Sequence, residues 1–168
     1  MKRTFLNGDK ELAERGERYL NSRIEDFEFF MEYSHCEDID ELIEQLRTNG
    51  ANFREARQTI RQYYDAGLFA DYGLGFDYVE LGTFEDQEED YFRFQLSWGG
   101  PSDEIRFYED GTMEYIFLDW FVGVGFDVTG IDVFVWLAEW FMDCMMLNFE
   151  DEREKYDYYT QLMEAEEE

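Results

Sequence analysis

From Lys10 to Met31 the apolar residues Leu12, Tyr19, Leu20, Ile24, Phe27 and Met31 return at close to a 3.6-residue interval, which gathers them on one side of a helix. Asp9 stands just ahead of the run as an N-cap, a side chain able to accept from the first free backbone N–H groups. A second helix is predicted from Asp38 to Thr48, with Ile39, Leu42, Ile43 and Leu46 on one side and Asn49–Gly50 as its stop. A third begins at Asn52, with Glu55 three residues on as the reciprocal partner of a capping box, and ends at Gly67.

Beyond Gly67 the period drops to two. Phe92, Phe94, Leu96 and Trp98 alternate with Tyr91, Arg93, Gln95 and Ser97, the pattern of a strand with one buried face. Segments 104–108 and 112–118 flank Asp110–Gly111, which reads as a two-residue hairpin turn, and segment 76–82 is a fourth strand candidate. Gly99–Ser102, holding the only proline, is a loop. Residues 121–134 read as a glycine-punctuated connection in which Thr129 caps an apolar helix over 131–147. A last helix runs from Phe149 to Met163, before a tail ending in EAEEE that is expected to fray. The chain is therefore expected to be α+β: N-terminal helices, an antiparallel meander of three to four strands covered on one face, then C-terminal helices. With no internal repeat and no long linker, 1–168 reads as a single domain, made of a near-neutral helical part (1–67), a sheet (68–120) and acidic helices with their tail (121–168).

Composition changes this picture in one respect. The chain has 42 acidic and 14 basic residues, for a formal net charge of −28, yet it is 45% hydrophobic and 20% aromatic. That much apolar surface can offset chain entropy, so this is a folding sequence and not an acidic disordered one. The charge is uneven: residues 1–61 hold 10 basic and 14 acidic side chains, residues 62–168 hold 4 and 28. Such an excess repels nucleic acid and anionic membranes, and it weakens the fold unless a cation, a basic protein surface or high salt uses it. Salt adaptation is expected to favour small residues, whereas this chain is rich in large aromatics. The 17-residue apolar run 131–147 carries Asp132, Glu139 and Asp143 and falls short of the roughly 20 apolar residues of a membrane span. The N-terminus has no apolar core of the secretory type, and Cys36 and Cys144 lie far apart, so a cytoplasmic, reducing setting is expected, with neither a disulfide framework nor a zinc site.

Catalytic signatures are weak throughout. His35 is the only histidine; neighbours in sequence usually diverge, so beside Cys36 it reads as a loop histidine next to a structural thiol. No GxSxG, calcium-loop frame or phosphate-cradling glycine motif is present, and among 42 acids a pair at glycosidase spacing arises by chance. The small basic stripe Arg54, Arg57 and Arg61 is expected to pair with the acidic half. A non-enzyme without cofactor or metal follows.

The carboxylates themselves are the candidate chemistry. Duplex DNA carries two charges per base pair, so 28 charges correspond to about 14 base pairs, on the order of 48 Å. The expected partner-binding residues are Glu85, Asp86, Glu88, Glu89 and Asp90 ahead of a strand, Asp103, Glu104, Glu109 and Asp110 around the hairpin, Asp132, Glu139 and Asp143 on the apolar helix, and Glu150, Asp151, Glu152, Glu154 and Asp157 on the last. In size, charge, aromatic content and α+β build the chain resembles the DNA-mimic inhibitors of phages and plasmids, such as the ArdA-type and Ocr-type antirestriction proteins and several acidic anti-CRISPRs. The resemblance is to the class, spans the whole chain, and transfers no motif or site. It implies a protein, monomer or homodimer, that fills the basic DNA-binding groove of a restriction enzyme or CRISPR effector and touches no nucleic acid itself. An immunity protein or antitoxin neutralising one basic nuclease or toxin is the alternative.

Overall fold

A computed structural model describes residues 3–67, 69–85 and 87–166. The chain runs β1 (Arg3–Leu6), α1 (Lys10–Tyr33), α2 (Ile39–Thr48), α3 (Phe53–Ala66), a 3₁₀ turn, β2 (Gly75–Val79), β3 (Tyr91–Gln95), β4 (Ser102–Phe107), β5 (Met113–Asp119), β6 (Val122–Asp127), α4 (Asp132–Asp143) and α5 (Phe149–Glu166). The first three helices start at the residues whose side chains cap them. Asp9 accepts from Leu12 N at 2.8 Å, Asp38 from the backbone of Asp40 and Glu41, and Asn52 and Glu55 form the reciprocal box. Tyr19 and Met31, expected on the buried side of α1, are exposed, and Phe29 and Phe30 are buried instead.

Strands β2 to β6 form an antiparallel meander in chain order, and β1 pairs with the outer edge of β6, giving the order β1-β6-β5-β4-β3-β2. The fold is α+β with helices on both sides of the sheet in sequence. It has more strands than the three to four expected, and the reason is local. In β6, Val124 and Phe126 face the core while Gly123 and Gly125 occupy the other face, so the period of two carries no polar half to mark it. Thr129 does not cap α4. Its hydroxyl is held at the start of β5, accepting from Met113 N at 2.9 Å, and the N-cap position belongs to Ile131.

The hairpin turns also differ from expectation. Glu109, Asp110 and Gly111 make a three-residue loop between β4 and β5, closed by Tyr108 N to Thr112 O and Gly111 N to Tyr108 O, both 3.0 Å, with Gly111 at φ 86° where a side chain rarely fits. The two-residue turn lies between β5 and β6, at Trp120–Phe121, since Asp119 pairs with Val122.

One face of the sheet is covered by α1 and α4 through aromatic packing. Phe141 of α4 stacks on Phe76 at 4.0 Å between centroids and meets Phe94 and Phe107 edge-on at 5.1 and 5.7 Å. Phe134 meets Phe27 of α1 at 5.7 Å. Close approach of α1 depends on Gly16, where an added Cβ would lie 2.9 Å from Phe126, 3.0 Å from Val124 and 3.2 Å from Phe117. All three neighbours are fully buried and have no room to yield. Gly16→Ala is therefore expected to destabilise by about 1 kcal/mol in urea melts, because overpacking of about 2 kcal/mol, the middle of its usual range, outweighs the roughly 1 kcal/mol gain in helix propensity. Unchanged or increased stability would mean that α1 lies farther from the sheet.

Candidate functional site

Two of the expected surface carboxylates are inside the protein. Asp103 is 1% exposed and Glu104 4%, on opposite faces of β4. Arg23 of α1 grips Asp103 with two bonds, Nε at 2.7 Å and Nη2 at 3.0 Å, while Tyr115 donates to the same carboxylate at 2.8 Å and Ser97 adds a further bond. The network continues from Arg23 Nη1 to the Tyr72 hydroxyl at 2.8 Å and from that hydroxyl to Asp26 at 2.7 Å. Burial raises the Asp26 carboxyl above its ordinary range, against the lowering influence of Tyr72 and Arg23. On the open face, Glu104 accepts from Arg106 Nε at 2.7 Å, and Arg93 bridges the buried edge of this ladder to Asp77 with bonds of 3.0 and 2.8 Å. Tyr91 was expected on a solvent face, yet it is buried there, with Arg106 over its ring at 4.5 Å.

The half-buried Asp90 and the exposed Glu109 are also bound by a cation. Arg153 of α5 binds Asp90 at 2.8 and 2.9 Å and Glu109 at 3.0 and 2.8 Å, which fastens the last helix to both sheet-end loops. Lys155 pairs with Asp151 and Glu152 on the same helix. Thus each of the four cations in 62–168, Arg93, Arg106, Arg153 and Lys155, is engaged with a local carboxylate. Arg61 pairs with Asp65 along α3.

The remaining acids face outward. On α4, Asp132, Glu139 and Asp143 are exposed, opposite the buried Val133, Phe134, Leu137 and Phe141. They form one row, about 10 and 6 Å apart along the helix axis. On α5, Glu150, Glu154 and Asp157 are exposed and repeat the pattern at four- and three-residue spacing. Between β2 and β3, the loop carrying Glu85, Glu88 and Glu89 is organised by Gln87. Its side chain donates to Val79 O at 3.3 Å and Glu89 O at 2.9 Å and accepts from Phe84 N at 3.2 Å. Asp86 lies outside the described residues. Glu89 is pushed above the usual carboxylate range by burial first, then by Asp110, Asp90, Glu88 and Glu114, so the loop and the β4–β5 turn share one negative field.

At the opposite end of the sheet the character reverses. Trp98 is 77% exposed, Trp120 84% and Phe121 93%. Trp120 holds φ 57° in the tight turn, a conformation usually taken by glycine, so its ring is displayed at a local conformational cost of about 1 kcal/mol or more. Sequence reading missed this feature, although Trp-Phe between two strands is an unusual turn and was the available signal. Away from both ends, His35 and Cys36 converge on Gln45 Oε1, the thiol at 3.3 Å. Burial, with Glu41 and Asp38, pushes the Cys36 thiol up, which opposes a nucleophilic thiolate. Both cysteines are free, Cys36 buried and Cys144 exposed. Among the described residues no helix is long and apolar enough to cross a membrane, and no cluster of three or more His, Cys, Asp or Glu is arranged to hold a metal ion.

Comparison with protein-family models, with curated proteins and with solved structures finds no match to this chain.

These charges set a pH profile. Asp26 and Glu89 have raised folded-state pKa values, so their contribution favours the fold at low pH and is lost as pH rises through those values. Asp90 is held below the usual range by Arg153, against the opposing pull of burial; its contribution is present above about pH 4 and lost as pH falls through its folded value. The melting temperature is therefore expected to rise as pH is lowered from neutrality through the folded-state values of Asp26 and Glu89, and to fall as pH drops below about 4 through that of Asp90. Melts by circular dichroism from neutral to acid pH check it, and a profile with no maximum on the acid side of neutrality contradicts it.

Proposed function

We propose that the protein is an acidic inhibitor whose outward carboxylates occupy the basic DNA-binding groove of a host defence complex, a restriction enzyme or CRISPR effector, and so exclude DNA. The observation that carries this reading is the division of charge: the cations of 62–168 are bound to local acids, while the row on the packed helix α4 and the Gln87-centred loop hold unneutralised carboxylates in fixed positions, and α5, anchored at its start by Phe149 and Arg153, adds an exposed row. Fixed charge matters because a basic groove discriminates by the position of anions, and a mobile anionic tail would lose entropy on entering it. Such an inhibitor acts in the cytoplasm, where these complexes meet DNA, and its mechanism is occupancy without bond making.

A second reading is favoured by the exposed Trp98, Trp120 and Phe121. Aromatic anchors of this kind dominate the energetics of specific protein interfaces, so the chain could instead neutralise one cognate basic nuclease or toxin as an immunity protein or antitoxin does.

One experiment separates the two. Labelled duplex is bound to several unrelated DNA-binding proteins, including a restriction enzyme and a CRISPR effector, and this protein is titrated in at about 50 and about 200 mM salt. Displacement from more than one of them, weakening steeply between those salt levels, supports the mimic; displacement from none removes it. Protection against a single cognate nuclease, with Trp120→Ala abolishing it, supports the second reading.

A further inference from the structure

Helix α4 is apolar over more of its circumference than the core takes up. Val133, Phe134, Leu137 and Phe141 are buried. A second stripe, Val135, Ala138 and Met142, recurs at three- and four-residue spacing on another side of the helix and lines an open pocket of about 430 Å³. The buried Phe107 and Met113, where β4 ends and β5 begins, line it as well, with parts of the β4–β5 loop and of the connection into α4 around them. Met142 is half exposed at this pocket, and the turn from it to Leu147, another lining residue, displays Met145 and Met146 to solvent. Single apolar side chains on a surface are ordinary. A contiguous apolar hollow beside adaptable methionines is the form taken by surfaces that receive apolar side chains of a partner.

Charge selects the occupant. Glu139 lines the same pocket, and Asp132 and Asp143 stand in its row on the adjoining stripe of α4; none of the three is bound by a described cation. An apolar hollow bordered by unneutralised acids is complementary to a surface that is apolar and cationic side by side. A second copy of the chain brings a further net charge of −28 and is repelled.

We propose that this face receives an amphipathic basic helix of the protein partner, with an apolar side chain seated in the pocket and Lys or Arg on the neighbouring stripe of that helix meeting Asp132, Glu139 and Asp143. The assignment rests on the reading of the protein as a binder of basic protein surfaces and names the element of the partner that is bound. The apolar stripe and the acid row run side by side along α4, the stripe for about 10 Å, or two helical turns. A helix can present an apolar and a basic stripe next to each other over that length. A strand sends successive side chains to opposite faces and engages only one row at a time.

The test uses the full chain, ¹⁵N-labelled. The probe is an acetylated and amidated peptide of about five helical turns, with leucine on one stripe and lysine on the rest. Parallel probes are a scramble of the same composition, the same pattern with glutamate in place of lysine, and dodecyltrimethylammonium. The expected result is saturable shifts confined to 107–113 and 129–147, with binding about tenfold tighter than that of the scramble and none by the glutamate peptide. Met142→Gln is expected to weaken the peptide about fivefold and to leave the melting temperature unchanged, since that side chain is half exposed. A scramble that binds equally well would reduce the face to general acidic attraction and sink the proposal, as would a Met142→Gln variant that binds like the parent. Dodecyltrimethylammonium binding there as tightly as the peptide would replace the helix with a small cationic amphiphile. Sedimentation showing a dimer of the free protein that Met142→Gln dissolves would assign the face to a second copy instead. If the DNA displacement assay fails while the peptide still saturates the pocket, the inhibitor reading falls and the helix site stands; the reverse outcome removes only the helix site.

Discussion

Arg23→Met is expected to cost about 3–5 kcal/mol of folding stability, measured by urea denaturation at neutral pH. The reason lies in what it leaves behind. Asp103 is 1% exposed, and its carboxylate would retain Tyr115 and Ser97 but lose the only cation bound to it among the described residues. Removing one partner of a buried pair strands the other charge away from water, which costs far more than the intact pair contributes. The double variant Arg23→Met with Asp103→Asn is expected to recover a good part of the loss, because no ion then remains unpaired. A single variant losing under about 1 kcal/mol would show that water reaches Asp103 once the guanidinium is gone.

Neutralising six outward acids, Asp132→Asn, Glu139→Gln, Asp143→Asn, Glu150→Gln, Glu154→Gln and Asp157→Asn, is expected to raise the melting temperature while weakening partner binding. All six are exposed, those on α4 opposite its buried side and those on α5 among exposed neighbours, so packing is unchanged and self-repulsion falls. An exposed ion pair contributes about 0.2–1 kcal/mol, so six together should weaken a complex by roughly 10- to 10⁴-fold and flatten its salt dependence. Stability and binding moving in opposite directions is the signature. A variant that binds as well as the parent, by the same displacement titration, would remove both helices from the interface.

Local signals were legible wherever a side chain acts on its own neighbourhood. Asp9, Asp38 and the Asn52–Glu55 pair cap their helices as spacing implies, and Phe92, Phe94 and Leu96 face the core on alternation alone. What was illegible depended on distant partners or on glycine. Asp103 and Glu104 read as surface charge along with the other acids; the arginines that reclaim them stand 80 residues upstream and two residues downstream. Strand β6 was hidden because Gly123 and Gly125 replace the polar half of its alternation. The acidic loop was recognised as charged, but its organiser is the single neutral residue within it, Gln87, whose role appears only when the backbone it bonds is folded around it. Asp110–Gly111 was found as a turn and misjudged by one residue, since Gly111 supplies the positive φ at the end of a three-residue loop.

The solvent-facing indoles at the tip of the β5–β6 hairpin and the neighbouring loop give the molecule an optical consequence. Trp98 and Trp120 should emit at long wavelength, as indole does in water, over a background from the more enclosed Trp136 and Trp140. A complex seated on that tip would shift the emission to the blue, and one seated on the acidic helices would leave the colour of these two fluorophores alone. Unlabelled protein therefore reports which of its two ends a partner has taken.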